Sequence, residues 1–278
     1  MPAREAAPRV IINADDFGMS RGINAGVARA YNEGVLTSTT ALANCLRESD
    51  AVLLDSLTPS PRVADLKKPP LGVGLHLNLT QGVKLSDHDR DIVMFTKPTP
   101  QKGSVWQEHF GQFSRQSVAV EFFEQDKKFR KRLNRTPDHL DSHHSALSYM
   151  EDVYVAFGKD NNLPLRPTAI FSENPPGDMG EFVVDRTFPK RAREQGIKTV
   201  DSLSMQYFYH ERNPEEAFIR DLAKVKPGET KEFMVHPSVD DEWGWWRTKD
   251  LKMLTSDKVI QAVQDLGIEL TTYGQAAS

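Results

Sequence analysis

Hydrophobic residues recur along the chain with two periods, every second residue in some segments and every third or fourth residue in others. Segments of the two kinds alternate along the chain. The run 71–80 (LGVGLHLNLT) has leucine or valine at every second position, which is typical of a strand with one buried face. Ile23, Val27 and Tyr31 instead recur at helical spacing, and Ser20 is placed to cap that helix. This alternation predicts strands and helices that follow one another along the chain.

The remaining elements are predicted in the same way. Strands are predicted over 9–13, 37–44, 71–80, 139–143, 165–170, 198–200, 231–236 and 268–272. Helices are predicted after Ser20 and over 118–133, 149–160, 186–195, 215–224 and 257–266, and a loop over 86–104. This number of alternating elements predicts an α/β fold with a largely parallel sheet, closed or nearly closed into a (β/α) barrel that is either regular or incomplete or distorted. We see no linker or repeat, so we expect one domain over 1–278, with 1–8 a flexible N-terminus.

Composition excludes several classes of protein. The net charge of −4 gives no general attraction to nucleic acid or to an anionic membrane. Residues 1–8 lack the apolar centre of a signal peptide, and no apolar run approaches the roughly 20 residues that span a bilayer. The only cysteine, Cys45, excludes an intrachain disulfide and a thiolate metal cage. We therefore expect a cytoplasmic protein without nucleic-acid or membrane partners.

Side chains that bind metals or move protons recur at the predicted strand ends. Asp15 and Asp16 follow the first strand, His76 lies in the third, His143 ends the fourth and His236 ends a later one. Taken singly, each has an ordinary explanation: a helix cap, a core histidine or a turn. Since α/β barrels carry their sites at the carboxyl ends of the strands, the whole set favours a metal site.

The residue types narrow the chemistry of that site. Neutral imidazoles with a carboxylate suit Zn, Co, Ni, Mn or Fe, and also Mg when water completes the coordination. An aspartate beside a metal-binding aspartate can take a proton from water, and a histidine opposite can protonate a departing amine. We therefore expect a divalent metal cofactor and the hydrolysis of an amide. Mg and Zn are the first candidates, and the residue types leave the identity of the metal open.

Four segments stand out by their order and spacing, namely 10–44 (VIINADDFGMSRGINAGVARAYNEGVLTSTTALAN), 74–80 (GLHLNLT), 136–144 (TPDHLDSHH) and 235–237 (VHP). They resemble the motifs of the YdjC-like carbohydrate deacetylases, which include chitooligosaccharide deacetylases. The resemblance extends over essentially the whole chain. It implies a (β/α) barrel that removes N-acetyl groups from amino-sugar oligosaccharides with the help of a divalent metal.

The resemblance also implies a role for each residue of the set. By analogy with the classical polysaccharide deacetylases, Asp15 is the base and His236 is the general acid. The implied metal ligands are Asp16, His76 and His143.

Three more residues are candidates for supporting contacts. His139 and Asp141 share a strand face with His143 and are placed to orient metal ligands. For His139, a role as a strand cap fits nearly as well, and a role as a further metal ligand also stays open. Arg166 lies in PLRPT, where the family tends to carry an arginine after a short strand. It would hold a carboxylate or a substrate oxygen, with an ordinary surface arginine as the alternative.

A tryptophan cluster, Trp243 with Trp245 and Trp246, follows His236. Sugar rings stack on tryptophan, so Trp243 is a candidate substrate contact, while core packing and packing in a homodimer fit equally well.

Two stretches depart from the family pattern. Only His144–Ser145–Ala146 stands where a further histidine-rich stretch is usual, and 178–201 matches nothing in the family. Both bear on the choice of sugar.

Two other functions stay open, a metal-dependent esterase or amidase acting on another small acylated substrate, and a non-catalytic sugar-binding barrel. The second would tolerate loss of Asp15.

Overall fold

The computed structural model describes residues 6–86, 113–171, 182–205 and 213–276. In chain order its strands and α-helices are β1 (Arg9–Phe17), α1 (Arg21–Glu33), β2 (Ser38–Ala41), α2 (Glu48–Asp55), β3 (Gly72–Leu77), α3 (Arg115–Leu133), β4 (Leu140–Ser142), α4 (Glu151–Asp160), β5 (Ala169–Phe171), β6 (Phe182–Val184), α5 (Phe188–Glu194), β7 (Ser202–Ser204), α6 (Pro214–Leu222), β8 (Thr230–Val235), α7 (Arg247–Leu254), α8 (Asp257–Asp265), β9 (Glu269–Leu270) and α9 (Tyr273–Ala276). Short 3-10 helices lie at Pro61–Leu66 and His143–Tyr149.

The central sheet is parallel and curls into an incomplete barrel. Its strand order is β4-β3-β2-β1-β8-β7, and β9 pairs with the start of β1. Between β4 and β7, the described residues pair only through single parallel bridges, from Leu165 to Leu140 and from Leu165 to Thr199. The predicted α/β barrel, distorted and largely parallel, is therefore confirmed.

The outer face of this sheet builds the apolar core. Val10 and Ile12 of β1 are fully buried and belong to the same apolar cluster as Ile23 and Val27 of α1. Each such side chain contributes about 1.5–3 kcal/mol to folding when it leaves water. Helix α1 begins where predicted, because the Ser20 side chain accepts a hydrogen bond from the amide of Ile23.

The inner face of the sheet is polar. In β3 the predicted alternation holds, since Leu75 and Leu77 belong to the outer core while His76 points inward to Asp141. Gly74 also faces inward, and a Cβ there would lie 2.6 Å from the ring of His139. Glycine at this position is therefore what leaves room for the histidine ring.

Two predicted strands differ from the structure. Over 165–170 only Leu165 pairs with the barrel, and β5 forms an antiparallel hairpin with β6. Pro164 and Pro167 flank the bridge, and proline has no amide hydrogen to extend a ladder. The strand predicted over 198–200 is likewise one bridge at Thr199, followed by β7.

Three helices, α2, α7 and α9, were not predicted: the apolar residues of α2 and α7 do not gather clearly on one face, and α9 has four residues. The predicted loop over 86–104 and most of the predicted flexible N-terminus lie outside the described residues. Within the described ranges, no helix is both long enough and apolar enough to cross a membrane.

Candidate active site

An irregularity at the end of β1 puts the side chains of Asp15 and Asp16 on the same side of the sheet. The predicted strand 9–13 extends to Phe17, so both aspartates lie inside the strand and not after it. Successive side chains of a regular strand point to opposite faces. Here the pairing with β2 shifts register between Ala14 and Phe17, and Asp16 has a φ of +72°. This bulge turns both carboxylates toward His76, whose Nε2 lies 3.9 Å from Asp15 Oδ2 and 3.3 Å from Asp16 Oδ1.

Asp16, His76 and His143 converge on one point at the carboxyl ends of β1, β3 and β4. Asp16 Oδ1 lies 2.8 Å from Nδ1 of His143, and that Nδ1 lies 3.3 Å from Nε2 of His76. All three side chains are buried. The predicted ligands are thus brought together, although they come from positions far apart in the sequence.

The arrangement of these three residues fits a cation. Two ligands that bind one zinc ion at about 2.0–2.1 Å in tetrahedral geometry are about 3.3 Å apart, close to the separations found here. Asp16 Oδ1 is buried and has no assigned hydrogen-bond partner among the described residues, although it lies 2.8 Å from Nδ1 of His143. Asp15, His76 and Asp141 form a second close group, but an arginine already pairs both of its carboxylates.

Asp141 orients the ring of His76 through the ring nitrogen that faces away from Asp16. Its Oδ1 lies 2.6 Å from His76 Nδ1, and its Oδ2 accepts a hydrogen bond from Thr40 at 2.9 Å. This leaves Nε2 of His76 to face Asp16. Burial alone would lower the pKa of His76, but Asp141 and Asp15 raise it to about 10. A neutral ligand imidazole would therefore require a cation to replace that proton.

Arg166 is buried at the centre of the barrel and pairs with three carboxylates. Its Nη1 and Nη2 donate to Asp15 Oδ2 and Oδ1 at 2.7 and 2.6 Å. Nη1 also lies 2.8 Å from Asp141 Oδ2, and Nη2 donates to Glu232 Oε1 at 2.6 Å. Arg166 is therefore not a surface side chain, and it holds the two carboxylates that flank His76.

Glu232 was not predicted from the sequence, although a signal was present. It lies in β8 two residues before Met234 and four before His236, so alternation puts it on the inner face. It is fully buried and accepts a hydrogen bond from the hydroxyl of Tyr273 as well as those of Arg166. A charged residue at an inward position of a buried strand is unusual enough to mark a polar site.

His139 does not reach the three converging residues. Its ring stacks on Tyr273 at a centroid distance of 4.0 Å, deeper in the barrel than Asp141. Its Nδ1 lies 3.5 Å from Asp138. Of the two residues predicted to orient ligands, Asp141 contacts His76 and His139 packs below it.

His236 follows β8 directly, and its backbone amide donates to Asp250 Oδ2 at 2.8 Å. Burial lowers the pKa of His236 to about 4, against the opposing effect of Asp16. The imidazole is therefore neutral at neutral pH in the free protein. Burial also raises the pKa of Asp250 to about 7.

Arg247 is a second residue that was not predicted. It is buried, and its Nη2 donates to Asp16 Oδ2 at 2.6 Å, which leaves Oδ1 for the two histidines. Although burial alone would raise the pKa of Asp16, His143 and Arg247 hold it well below its usual value. Arg247 lies in the short, highly charged α7, where no pattern separates it from a surface arginine.

His144 supports the ring of His143. The two ring centroids are 3.8 Å apart, and His144 Nδ1 lies 2.9 Å from the hydroxyl of Thr80. His144 and Ser145 both have positive φ values, 54° and 49°, which turn the chain sharply after His143. The short His144–Ser145–Ala146 stretch thus has a local role in holding His143.

The tryptophan cluster divides between packing and exposure. Trp243 packs against the main apolar core, and Trp246 packs beside Leu203 and Met234. Trp245 is 53% exposed, with Lys249 Nζ 4.3 Å from its ring centroid. Trp243 is thus partly buried against the core, its role as a substrate contact stays a prediction, and Trp245 is the most exposed ring of the three.

The sequence model described as YdjC-like protein matches residues 9–265 of the chain. The chain belongs to this family. It is 30% identical over 284 residues to the carbohydrate deacetylase of Thermoanaerobacter pseudethanolicus, covering 95% of this chain and 97% of that one. It is 29% identical over 275 residues to the chitooligosaccharide deacetylase of Proteus mirabilis, again covering 95% and 97%. The family resemblance read from the motifs is confirmed.

A solved structure of similar sequence has the same fold. A crystal structure from Enterococcus faecalis V583, of a protein provisionally named for cellobiose-phosphate cleavage, superposes with a TM-score of 0.73. The two sequences are 27% identical, and the match covers 98% of this chain and 100% of that one. The incomplete barrel is therefore shared with this relative.

Proposed function

We propose that the protein is a metal-dependent deacetylase that removes N-acetyl groups from amino-sugar oligosaccharides such as chitooligosaccharides. One observation carries the proposal: Asp15 and Asp16 lie side by side near His76, and they differ in what their oxygens face. Arg166 binds both oxygens of Asp15, whereas Arg247 binds one oxygen of Asp16 and the other oxygen faces two histidines. A carboxylate for proton transfer next to a carboxylate for a cation is what metal-assisted amide hydrolysis requires.

Asp16, His76 and His143 are the residues that would hold the ion. The carboxylate and two imidazoles suit zinc, and also magnesium when water completes its coordination. A divalent ion bound there would polarise the acyl oxygen and acidify water at the site. Asp141 and Arg247 support this role, since they bind the atoms of His76 and Asp16 that face away from the shared point.

Asp15 acts as the base in this proposal. It takes a proton from the water whose oxygen adds to the carbonyl carbon of the N-acetyl group. The two-point contact from Arg166 fixes both oxygens of the carboxylate, and Asn13 donates to Oδ1 at 2.8 Å. The carboxylate is thus held in one orientation before the substrate arrives.

His236 delivers a proton to the sugar nitrogen as the bond between carbon and nitrogen breaks. Because its pKa is about 4 in the free protein, it is neutral when substrate binds at neutral pH. Negative charge develops on the acyl oxygen as water adds, and a nearby negative charge raises the pKa of an imidazole. His236 therefore takes up a proton from solvent as this charge develops and passes it to the nitrogen. The C–N bond breaks, Asp15 returns its proton to solvent when acetate leaves, and the products are acetate and a free amine.

The substrate class rests on the two relatives named as carbohydrate and chitooligosaccharide deacetylases. The test is acetate release from a panel of N-acetylated oligosaccharides, measured by mass spectrometry with metal-free and metal-replenished protein. We expect release only with metal, and matched O-acetyl esters separate amide from ester hydrolysis. Full activity in protein with no bound metal, or activity on esters alone, contradicts the proposal.

Two further expectations stay predictions. One is the cytoplasmic location, which is checked by fractionation. The other concerns oligomeric state, which the sequence leaves open between a monomer and a homodimer and which light scattering measures.

A further inference from the structure

A cavity lies at the opposite end of the barrel from the proposed active site. Its volume is about 410 Å³. Its wall includes Arg9 and Thr230, the first residues of β1 and β8, whereas the proposed catalytic side chains lie at the carboxyl ends of the strands. We infer that this cavity binds a small oxyanion that carries a phosphate group.

The wall of the cavity is positively charged. Arg9, Arg193 and Lys198 line it, and Asp201 is the one acid in its wall among the described residues. Asp201 is already engaged, since its Oδ1 accepts from Arg193 at 2.6 Å and its Oδ2 from the amide of Thr230 at 2.8 Å. Within the described part of the chain, Arg9 and Lys198 have no ion pair. Among the described residues, two cations of this wall are therefore uncompensated, in a chain whose net charge is −4.

The hydroxyl of Thr230 also supports the binding of an oxyanion. Thr230 is 4% exposed, and its Oγ1 has no hydrogen-bond partner among the described residues. Buried polar atoms in native proteins are almost always bonded, so this hydroxyl calls for a partner. Arg9 and Thr230 face each other in the β1–β8 register, which puts their side chains on one side of the sheet.

A phosphate group matches this set of donors. A guanidinium binds two phosphate oxygens at once, an ammonium adds a compact positive charge, and a hydroxyl donates to a third oxygen. Two uncompensated cations balance a doubly charged anion. The volume lies within the range of small-molecule sites, which is about 300–1,000 Å³.

The probe for the test is inorganic pyrophosphate, titrated calorimetrically into the metal-loaded full chain at constant ionic strength. We expect one saturable site. The double variant Arg9→Ala/Lys198→Ala should weaken binding by roughly tenfold or more. The matched control Lys131→Ala/Arg186→Ala removes the same charge elsewhere and should leave the affinity unchanged.

Thr230→Val keeps the shape of the side chain and removes only the hydroxyl. We expect it to weaken binding about threefold to tenfold, and it preserves the test if the Arg9 variant does not fold. Pyrophosphate also binds divalent ions, so His76→Ala is titrated in parallel. Binding lost in His76→Ala but kept in the Arg9/Lys198 variant places the anion at the catalytic end and overturns the inference. Equal weakening by the two charge variants, or no saturable binding, also overturns it.

Discussion

Arg166 holds both carboxylate oxygens of Asp15, with Nη1 2.7 Å from Oδ2 and Nη2 2.6 Å from Oδ1. A planar guanidinium makes this two-point contact, and an ammonium does not. The same guanidinium also donates to Oε1 of Glu232, whose Oε2 accepts a hydrogen bond from the hydroxyl of Tyr273. The orientation of the Asp15 carboxylate, the proposed base, is therefore fixed by Arg166, which Glu232 holds deeper in the barrel.

Replacing Arg166 by lysine keeps a positive charge and removes the two-point contact. We expect kcat to fall roughly 10–100-fold, because a misplaced catalytic group costs about that much in rate. Metal content should stay near wild type, since the three proposed ligands are untouched. Steady-state kinetics with elemental analysis check this, with Arg132→Lys at a surface pair as control. Wild-type kcat in the Arg166→Lys variant would show that the two-point contact has no role in catalysis.

Replacing Asp15 and replacing Asp16 should have different effects. Asp15→Asn removes the base but keeps the shape, so we expect kcat to fall roughly 10²–10⁴-fold with the metal retained. Asp16→Asn should lose the metal, because Oδ1 of Asp16 faces both histidines. Metal content is the deciding measurement. If Asp15→Asn loses the ion while Asp16→Asn keeps it, the two roles are reversed.

The strands and the polar residues near their carboxyl ends were predictable because each leaves a local pattern. Alternation in β3 put His76 on the inner face, as the structure has it. The bulge at Asp16 has no local pattern, because its positive φ depends on the pairing with β2. Arg247 could not be predicted at all, since its contact with Asp16 spans 231 positions of the chain.

His76→Ala tests whether the ion serves catalysis or the fold. His76 lies at the rim of a barrel whose apolar core packs on the other face of the sheet, so the core does not depend on it. We expect the variant to lose the metal and keep its fold, with only a modest shift in Tm. Circular dichroism and elemental analysis measure the two effects separately. An unfolded variant, together with unfolded metal-free wild type, would make the ion structural.

His236→Ala should lower kcat roughly 10²–10⁴-fold with metal content unchanged. Because burial lowers the pKa of His236 to about 4, the free protein carries a neutral imidazole above that pH. We therefore expect the kcat/KM of the wild type to show no decline at the ordinary histidine pKa of about 6.5. A decline there that disappears in His236→Ala would show that His236 is already protonated in the free protein. Wild-type turnover in the variant would assign the proton transfer to another group.

Asp250 should make folding stability depend on pH. It is fully buried, its Oδ2 accepts from the amide of His236, and its Oδ1 has no hydrogen-bond partner among the described residues. Burial raises its pKa to about 7, against about 3.9 in an unfolded chain. The folded protein thus keeps a proton that the unfolded chain releases. The stability from this group is present below about pH 4 and is lost as pH rises through about 7.

Asp250→Asn removes this dependence, because the amide stays neutral and can still accept from His236. We expect little difference in unfolding free energy at about pH 4, where both side chains are neutral in the folded and the unfolded protein. At about pH 8 the variant should be the more stable, by at most about 4 kcal/mol. Denaturant titrations across this range measure the difference. Asp257→Asn is the matched control, since that carboxylate is 92% exposed. A difference between wild type and Asp250→Asn that does not grow with pH would mean that Asp250 is ionised in the folded protein.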